Sequence, residues 1–137
     1  MRETGDASAA GAPPVAAMPA SVSAPVPHVR ILMGTCQGAR HVRAQLDSFA
    51  DQTHRDWSLW VSDDGSTDGT PAIVEAFAAD HPDREIRLFD GPKQGAAANY
   101  LFLMTHPELP RDAAVIALSD QDDVWMPDRL HHALSHL

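Results

Sequence analysis

Two acidic stretches are the parts of this sequence best equipped for chemistry. The first acidic stretch, residues 63–70, reads Asp-Asp-Gly-Ser-Thr-Asp-Gly-Thr, and the second acidic stretch, residues 119–125, reads Ser-Asp-Gln-Asp-Asp-Val-Trp. Neighbouring carboxylates repel one another unless a positive charge joins them. Carboxylate oxygens suit hard cations such as Mg²⁺ and Mn²⁺, and Mg²⁺ sites commonly combine one or two carboxylates with substrate phosphates. The pattern therefore predicts a divalent cation and a diphosphate at these residues.

Each stretch also has a purely structural interpretation. Asp-Asp-Gly-Ser is good turn chemistry, because Asp side chains accept hydrogen bonds from nearby N–H groups and Gly adopts positive φ. For residues 63–69 the turn and the ligand site are equally supported. Three acids in four positions after an apolar run favour a ligand site at residues 120–123. Trp125, beside them, is expected to be a packing residue.

Other signals for chemistry are weaker. Residues 64–75 match the spacing of an EF-hand calcium loop, but they follow an apolar strand rather than a helix. The eight His residues form no metal-ligand template, and Cys36 has no assignable acid–base partner. The sequence contains neither a G-x-G-x-x-G fingerprint nor a P-loop. These signals therefore add no further site.

The apolar pattern predicts the elements that position the acids. Short β-branched runs predict strands, and apolar residues with a 3.6-residue period predict helices. The predicted order is βαβαβαβα, with strands at 29–34, 58–62, 86–89 and 113–118 and helices at 39–52, 71–78, 95–105 and 127–137. This order predicts an α/β fold with a Rossmann-like, doubly wound parallel sheet. Ligands bind such sheets at the carboxyl ends of the strands, where the acids of both stretches meet if strands one, two and four are neighbours.

Three finer expectations concern individual elements. The fourth strand is apolar throughout, which is typical of a buried central strand. The helix at 95–105 is expected to bury Ala97, Leu101 and Met104. Thr70 is expected to cap the second helix, with Pro71 at its first position.

Composition limits the class of protein. A chain of 137 residues is enough for one domain. The net charge of −9 argues against a nucleic-acid partner. One cysteine cannot form an internal disulfide, and we expect a cytoplasmic location, with nothing in the sequence requiring contact with the inner membrane face. Residues 1–27 are rich in Ala and Pro, so we interpret them as a disordered leader before a domain at 28–137.

Taken together, the motifs resemble those of family 2 glycosyltransferases. The residues that carry the resemblance are 29–35, 60–68, 95–99 and 119–130. The wording Ser-Asp-Gln-Asp-Asp-x-Trp is similar to that of bacterial rhamnosyltransferase-like members. The resemblance covers about residues 29–137 and implies a GT-A fold. It also implies transfer of a sugar from a UDP- or dTDP-sugar to a saccharide or lipid-linked acceptor, as in the synthesis of cell-surface polysaccharides.

The resemblance assigns roles in donor binding. Asp64 would accept a hydrogen bond from the N3–H of uracil or thymine, and Asp63 would support it. Thr35 would lie beside the base. Lys93 and Asn99 are further candidates for nucleotide contacts.

The resemblance also assigns a metal site. Asp120 would lie near the ribose and the metal ion, and Asp122 would bind Mg²⁺ or Mn²⁺. The ion would bridge the diphosphate and offset the charge that develops on the leaving nucleoside diphosphate.

Two departures from the family pattern accompany the resemblance. Cys36 stands where the family usually has Tyr, which removes an aromatic face for the base. The sequence ends at Leu137, and no residue can be assigned as the base that deprotonates the acceptor in an inverting reaction. We therefore expect a donor-binding half that binds nucleotide and metal but turns over poorly alone, and whose open sheet edge favours self-association. A non-catalytic nucleotide- and metal-binding module and, with less support, a nucleotidyltransferase are the alternatives.

Overall fold

The computed structural model describes residues 27–112 and 114–137, so almost all of the predicted leader lies outside the described residues. The described chain alternates strands and helices in the predicted order. The strands are β1 (Val29–Thr35), β2 (Trp57–Asp63), β3 (Ile86–Asp90) and β4 (Val115–Ser119). The helices are α1 (Val42–Ala50), α2 (Thr70–Asp80), α3 (Ala96–Met104) and α4 (Arg129–Leu134). The predicted α/β fold is confirmed.

The strands form one parallel sheet in the order β3-β2-β1-β4. The chain runs outward from β1 through β2 to β3 and then returns to the other side of β1 as β4. Thr35 at the end of β1 pairs with Asp63 at the end of β2, and Met33 pairs with Ser119 at the end of β4. Strands one, two and four are therefore neighbours, and both acidic stretches begin at the same edge of the sheet.

Helices cover the two faces of this sheet, and each face has its own core. Ile31 and Met33 of β1 pack on one face with buried residues of α1, α2 and α4. Leu32, between them, packs on the opposite face with Trp60 and with Leu103 of α3. Successive side chains of a strand point to opposite faces, so one buried strand serves both cores. The sheet is doubly wound, as the sequence predicts.

The position of β4 corrects one expectation. This strand was expected to be buried and central, but among the described residues it is an edge strand, and β1 and β2 are the inner strands. Ile116 is 42% exposed and Leu118 is 50% exposed. An apolar run predicts a strand whose faces can be covered, but it does not say how many strands pair with it.

The orientation of α3 corrects a second expectation. Ala97 is exposed, and Leu101 and Met104 are exposed hydrophobic residues, whereas Asn99 and Leu103 are buried. The helix is apolar on most of its surface, so its composition does not select the buried face. The hydrogen bonds of Asn99 to β2, described below, select that face instead.

The start of α2 corrects a third expectation. The helix begins at Thr70 itself, and its N-cap residue is Gly69, which has no side-chain cap. The Thr70 hydroxyl instead accepts the Gly38 N–H and donates to Asp68. Asp68 also accepts the Thr70 N–H, at 3.0 Å. The Asp68 carboxylate therefore accepts a hydrogen bond from the first N–H of α2, as a capping side chain would.

No helix in the described ranges is both long enough and apolar enough to cross a lipid bilayer.

Candidate functional site

A cavity of about 160 Å³ lies where the order of the strands reverses, between the ends of β1 and β4. Ligands of open parallel sheets bind at this kind of position. The cavity is lined by Gly34, Thr35, Ala96, Asn99, Tyr100, Asp120, Gln121 and Asp122. Four of the seven predicted site residues are therefore in its wall. The other three, Asp63, Asp64 and Lys93, are at the adjoining ends of β2 and β3.

Asp63 is a buried carboxylate whose partners are within the protein. One oxygen, Oδ1, accepts the Thr35 hydroxyl and the Ser66 hydroxyl, each at 2.7 Å. The other oxygen, Oδ2, accepts the Ser66 N–H at 2.8 Å. These bonds fix the start of the first acidic stretch against β1. Asp63 and Thr35 thus shape the site as a pair, with the carboxylate satisfied by protein donors.

Asp64 connects the first acidic stretch to the loop before α3. Its Oδ1 accepts the Lys93 N–H at 2.6 Å, and its Oδ2 accepts the Gly95 N–H at 3.2 Å. Lys93 and Gly95 have positive φ, 61° and 99°, so two unusual backbone conformations present both N–H groups to Asp64. Each carboxylate oxygen has a further lone pair. Asp64 can therefore hold this loop and still accept a hydrogen bond from a ligand.

The side chains of Lys93 and Asn99 are placed differently. The Lys93 methylenes lie over Gly65, where a Cβ would come within 3.1 Å of Lys93 Cε. Asn99 is buried, its Nδ2 donates to the Ser62 carbonyl at 2.8 Å, and its Oδ1 accepts the Ser62 hydroxyl. Both ends of the Asn99 amide therefore dock α3 on β2. Its predicted nucleotide contact stays a prediction.

The second acidic stretch is more open. Asp120, Asp122 and Asp123 are all exposed, and Asp120 Oδ1 accepts a hydrogen bond from the Tyr100 hydroxyl at 3.0 Å. The same hydroxyl lies 2.6 Å from the Ser119 carbonyl oxygen, its second acceptor. Burial, followed by the hydrogen bond to Asp120, raises the pKa of Tyr100 to about 12. Tyr100 thus stays a protonated donor near neutral pH.

The carboxylates of the second acidic stretch suit a divalent cation that takes some of its ligands from the protein and the others from a substrate. Asp120 and Asp122 line the cavity and offer carboxylate oxygens. Among residues 27–112 and 114–137, no three His, Cys, Asp or Glu side chains are arranged to hold a metal ion by themselves. Mg²⁺-type ions need few protein ligands when substrate phosphates supply the others.

Gln121 and Tyr100 are site residues that sequence reasoning missed. The Cys36 N–H donates to Gln121 Oε1 at 2.8 Å, and Gln121 Nε2 donates to the Cys36 carbonyl at 2.9 Å. Gln121 lies between two of the acids, which is the sequence signal that was available for it. Tyr100 follows Asn99 in an apolar helix and carries no comparable signal. Tyr100 contacts Asp120 directly, whereas Gln121 contacts the loop after β1.

Comparison with known proteins shows similarity over the α/β part of the chain. The model of the family described as Glycosyl transferase family 2 matches residues 31–137. The dTDP-rhamnosyl transferase RfbG of Shigella flexneri is 34% identical over 107 residues, which are 77% of this chain and 36% of that protein. The UDP-Glc:alpha-D-GlcNAc-diphosphoundecaprenol beta-1,3-glucosyltransferase WfgD of Escherichia coli is 29% identical over 108 residues, which are 78% of this chain and 40% of that protein.

A solved structure shows the same fold. The mannosyltransferase PcManGT from Pyrobaculum calidifontis, in complex with GDP-Man and Mn²⁺, matches with a TM-score of 0.66 at 27% identity. The match covers 80% of this chain and 31% of that chain. The present chain thus spans two fifths or less of the length of these relatives.

Proposed function

The chain belongs to glycosyl transferase family 2, and we propose that it forms the donor-binding part of a glycosyltransferase. Its sheet is the α/β core of the GT-A fold. The proposed reaction transfers a sugar from a UDP- or dTDP-sugar to a hydroxyl of a saccharide or lipid-linked acceptor. One observation carries this proposal: both acidic stretches begin at one sheet edge, beside a cavity at the reversal of strand order.

The proposed metal ligands are Asp122 and Asp120, which hold Mg²⁺ or Mn²⁺ together with the donor diphosphate. When bound, the cation offsets the negative charge that builds up on the departing nucleoside diphosphate. Tyr100 orients Asp120 through the hydrogen bond from its hydroxyl. The exposure of both acids and the Mn²⁺ in the structure of the similar mannosyltransferase support this assignment.

The proposed base-recognition residues surround the end of β2. Asp64 accepts the N3–H of a uracil or thymine ring, and the Thr35–Asp63 pair holds the strand ends that form the wall of the base pocket. Lys93 and Asn99 complete the nucleotide site, with the Lys93 ammonium group supplying positive charge near the diphosphate. The names of the similar proteins RfbG and WfgD include dTDP and UDP, which supports a pyrimidine nucleotide.

The proposed transfer inverts the configuration of the sugar. The acceptor oxygen forms a bond to the anomeric carbon as the bond from that carbon to the diphosphate oxygen breaks. The nucleoside diphosphate leaves, and the acceptor proton passes to a carboxylate base. We assign no residue of this chain to that base. The 137-residue chain is therefore expected to bind donor without transferring sugar at an ordinary enzymatic rate.

Calorimetric titration of the chain tests the proposal. UDP, dTDP and GDP are each titrated with Mn²⁺ and then with EDTA. We expect metal-dependent binding of UDP or dTDP and weaker binding of GDP. Asp122→Asn should lower the metal-dependent affinity by about 10-fold or more, because it removes a charged metal ligand.

Asp123→Asn is the matched control, because Asp123 is also an exposed acid of the same stretch but does not line the cavity. It should bind nucleotide as the unmodified chain does. Equal losses of affinity in both variants would mean that the overall negative charge of the stretch, rather than a defined metal site, supports binding. Folded chain that binds none of the nucleotides would overturn the proposed function.

Self-association through the β4 edge is a further part of the proposal. Among the described residues no strand pairs with the outer side of β4, and Ile116 and Leu118 leave an apolar surface beside this open edge, which favours pairing with another strand. Ile116→Lys should reduce association measured by sedimentation velocity over a concentration series. Met126→Lys removes an exposed apolar residue outside the sheet and should not. A chain that stays monomeric at all concentrations would contradict this part.

A further inference from the structure

Gln121 joins two loops that are far apart in sequence. Its side-chain amide accepts the N–H of Cys36 and donates to the carbonyl of Cys36, at 2.8 and 2.9 Å. Both backbone hydrogen-bonding groups of the residue after β1 are thus satisfied by one side chain from the residue two positions after β4. This two-bond contact, named here the Gln121 clamp, ties the chain after β4 to the chain after β1.

The loop after β1 leaves room for the Gln121 clamp. Gly38 faces the Gln121 amide, and a Cβ at this position would overlap with the Oε1 atom of Gln121. The backbone of Gly38 is not left-handed, so the absence of a side chain there is a matter of space rather than of φ. Gly38 and Gln121, which are more than eighty residues apart in sequence, therefore pack closely because residue 38 has no side chain.

The Gln121 clamp continues into the first acidic stretch. The neighbour of Cys36, Gln37, donates its N–H to the Ser66 hydroxyl at 2.8 Å, and that hydroxyl donates to Asp63. The Asp64 N–H donates to the Thr35 carbonyl at 2.8 Å. Hydrogen bonds and the backbone of residues 35–37 thus connect the residue between Asp120 and Asp122 to the predicted base-recognition residues.

We propose that Gln121 is a positioning residue that couples metal binding at Asp120 and Asp122 to nucleotide binding at the ends of β1 and β2. This inference rests on the proposed function. A cation and a nucleotide that share a diphosphate require a fixed distance between the two loops, and the Gln121 clamp sets that distance. Without it, each loop keeps its own ligand groups, but metal binding contributes less to nucleotide affinity. Loss of partners that orient metal ligands typically costs about 10- to 100-fold in metal affinity.

The measured quantity is the ratio of nucleotide affinity in Mn²⁺ to nucleotide affinity in EDTA, determined by calorimetry with UDP and dTDP. In Gln121→Ala this ratio should fall by about 10-fold or more, while the affinity in EDTA changes little. Gly38→Ala should produce the same loss, because the added methyl group displaces the Gln121 amide without altering its chemistry.

Two further variants separate positioning from other effects. Gln121→Glu keeps an acceptor for the Cys36 N–H, loses the donor to the Cys36 carbonyl as a carboxylate, and adds negative charge beside the metal ligands. Positioning predicts a lower ratio in this variant, whereas charge alone predicts a higher one. Gln37→Ala removes the other loop glutamine, which bonds Thr67 and not the second acidic stretch, so it should preserve the ratio.

A readout without ligand tests the Gln121 clamp itself. Amide hydrogen exchange at Cys36, followed by NMR, should be faster in Gln121→Ala than in the unmodified chain and unchanged in Gln37→Ala. Metal-dependent binding by the unmodified chain with the same ratio in Gln121→Ala would overturn the coupling alone. Absence of metal-dependent binding in the unmodified chain would overturn the coupling and the proposed function together.

Discussion

The two acidic stretches have similar compositions but very different surroundings. In the first acidic stretch, three carboxylates accept hydrogen bonds from protein N–H or hydroxyl groups, those of Asp63, Asp64 and Asp68. In the second, Asp120 accepts one from Tyr100, and neither Asp122 nor Asp123 accepts one from a described residue. A carboxylate with internal donors stabilises the fold, whereas one without them is available to a cation. The first stretch is mainly a scaffold, and the second leaves its carboxylates open for the proposed cation.

The largest expected effect that tests this comparison is on stability. Asp63→Ala leaves the buried Thr35 hydroxyl and the Ser66 N–H without their acceptor, so it should lower the free energy of unfolding by about 3 kcal/mol. Asp122→Ala removes an exposed side chain and should change it by less than about 0.5 kcal/mol. Urea denaturation measures both values. Equal losses in the two variants would show that the stretches do not differ in this way.

The packing around the first stretch gives the next largest effect. A Cβ at Gly91 would meet the Asn99 Oδ1, the Ser62 hydroxyl and the Asp63 carbonyl, so Gly91→Ala should cost about 2 kcal/mol of unfolding free energy. Gly69→Ala is the matched control, because a Cβ there meets nothing within 4 Å. It should cost less, about 0.5–1 kcal/mol, because Ala is a poorer N-cap residue than Gly. Urea midpoints that fall equally for both glycines would contradict the tight packing at Gly91.

The sequence predicts the fold well because the fold depends on local patterns. Apolar runs and helical periods give the order of the elements, and the alternation of strand and helix gives a parallel sheet. The edge position of β4 and the buried face of α3 were predicted incorrectly. Both depend on contacts with distant parts of the chain, such as Asn99 with Ser62.

The candidate site likewise has features that the sequence indicates and features that depend on distant contacts. Residue types alone indicate that acids gather at one sheet edge, and the sheet order confirms that the strands concerned are neighbours. The sequence does not show which carboxylates already accept hydrogen bonds from the protein. The donors to Asp64, for example, come from Lys93 and Gly95, about 30 residues away. The hydrogen bonds of Gln121 and Tyr100 are hidden for the same reason.

Tyr100 provides a smaller and more specific test of the second stretch. It is the one tyrosine of the chain, so tyrosinate absorbance reports its ionisation directly. Titration should give a pKa of about 12 in the folded chain and about 10 in urea. Asp120→Asn should lower the folded-state pKa, because it removes a negative charge beside the hydroxyl. An unchanged Tyr100 pKa in this variant would show that Asp120 does not influence the ionisation of Tyr100.

The same raised pKa predicts how stability depends on alkaline pH. Between about pH 10 and 12 the unfolded chain has lost the Tyr100 proton that the folded chain keeps, so stability falls as the pH rises through this range. Tyr100→Phe removes the donor to Ser119 and Asp120, which should cost about 1 kcal/mol at neutral pH. The variant should also lose stability less steeply above pH 10. Parallel pH curves for the two proteins, measured by urea denaturation, would contradict this account.

Asp68 gives the smallest effect, because it is an exposed member of the scaffold stretch. Hydrogen bonds from the Thr70 hydroxyl and from the Ala39 and Thr70 N–H groups lower its pKa below the ordinary 3.8. Its contribution to stability is therefore complete above about pH 4 and is lost as the pH falls through the lower folded-state pKa. Asp68→Asn should have a lower urea midpoint than the unmodified chain at pH 5, and the difference should shrink towards pH 2. A difference that stays constant with pH would mean that the charge of Asp68 does not matter to the scaffold. A difference that shrinks would show that even the exposed acid of the first stretch is held ionised by the fold, in contrast to a carboxylate that depends on a bound cation.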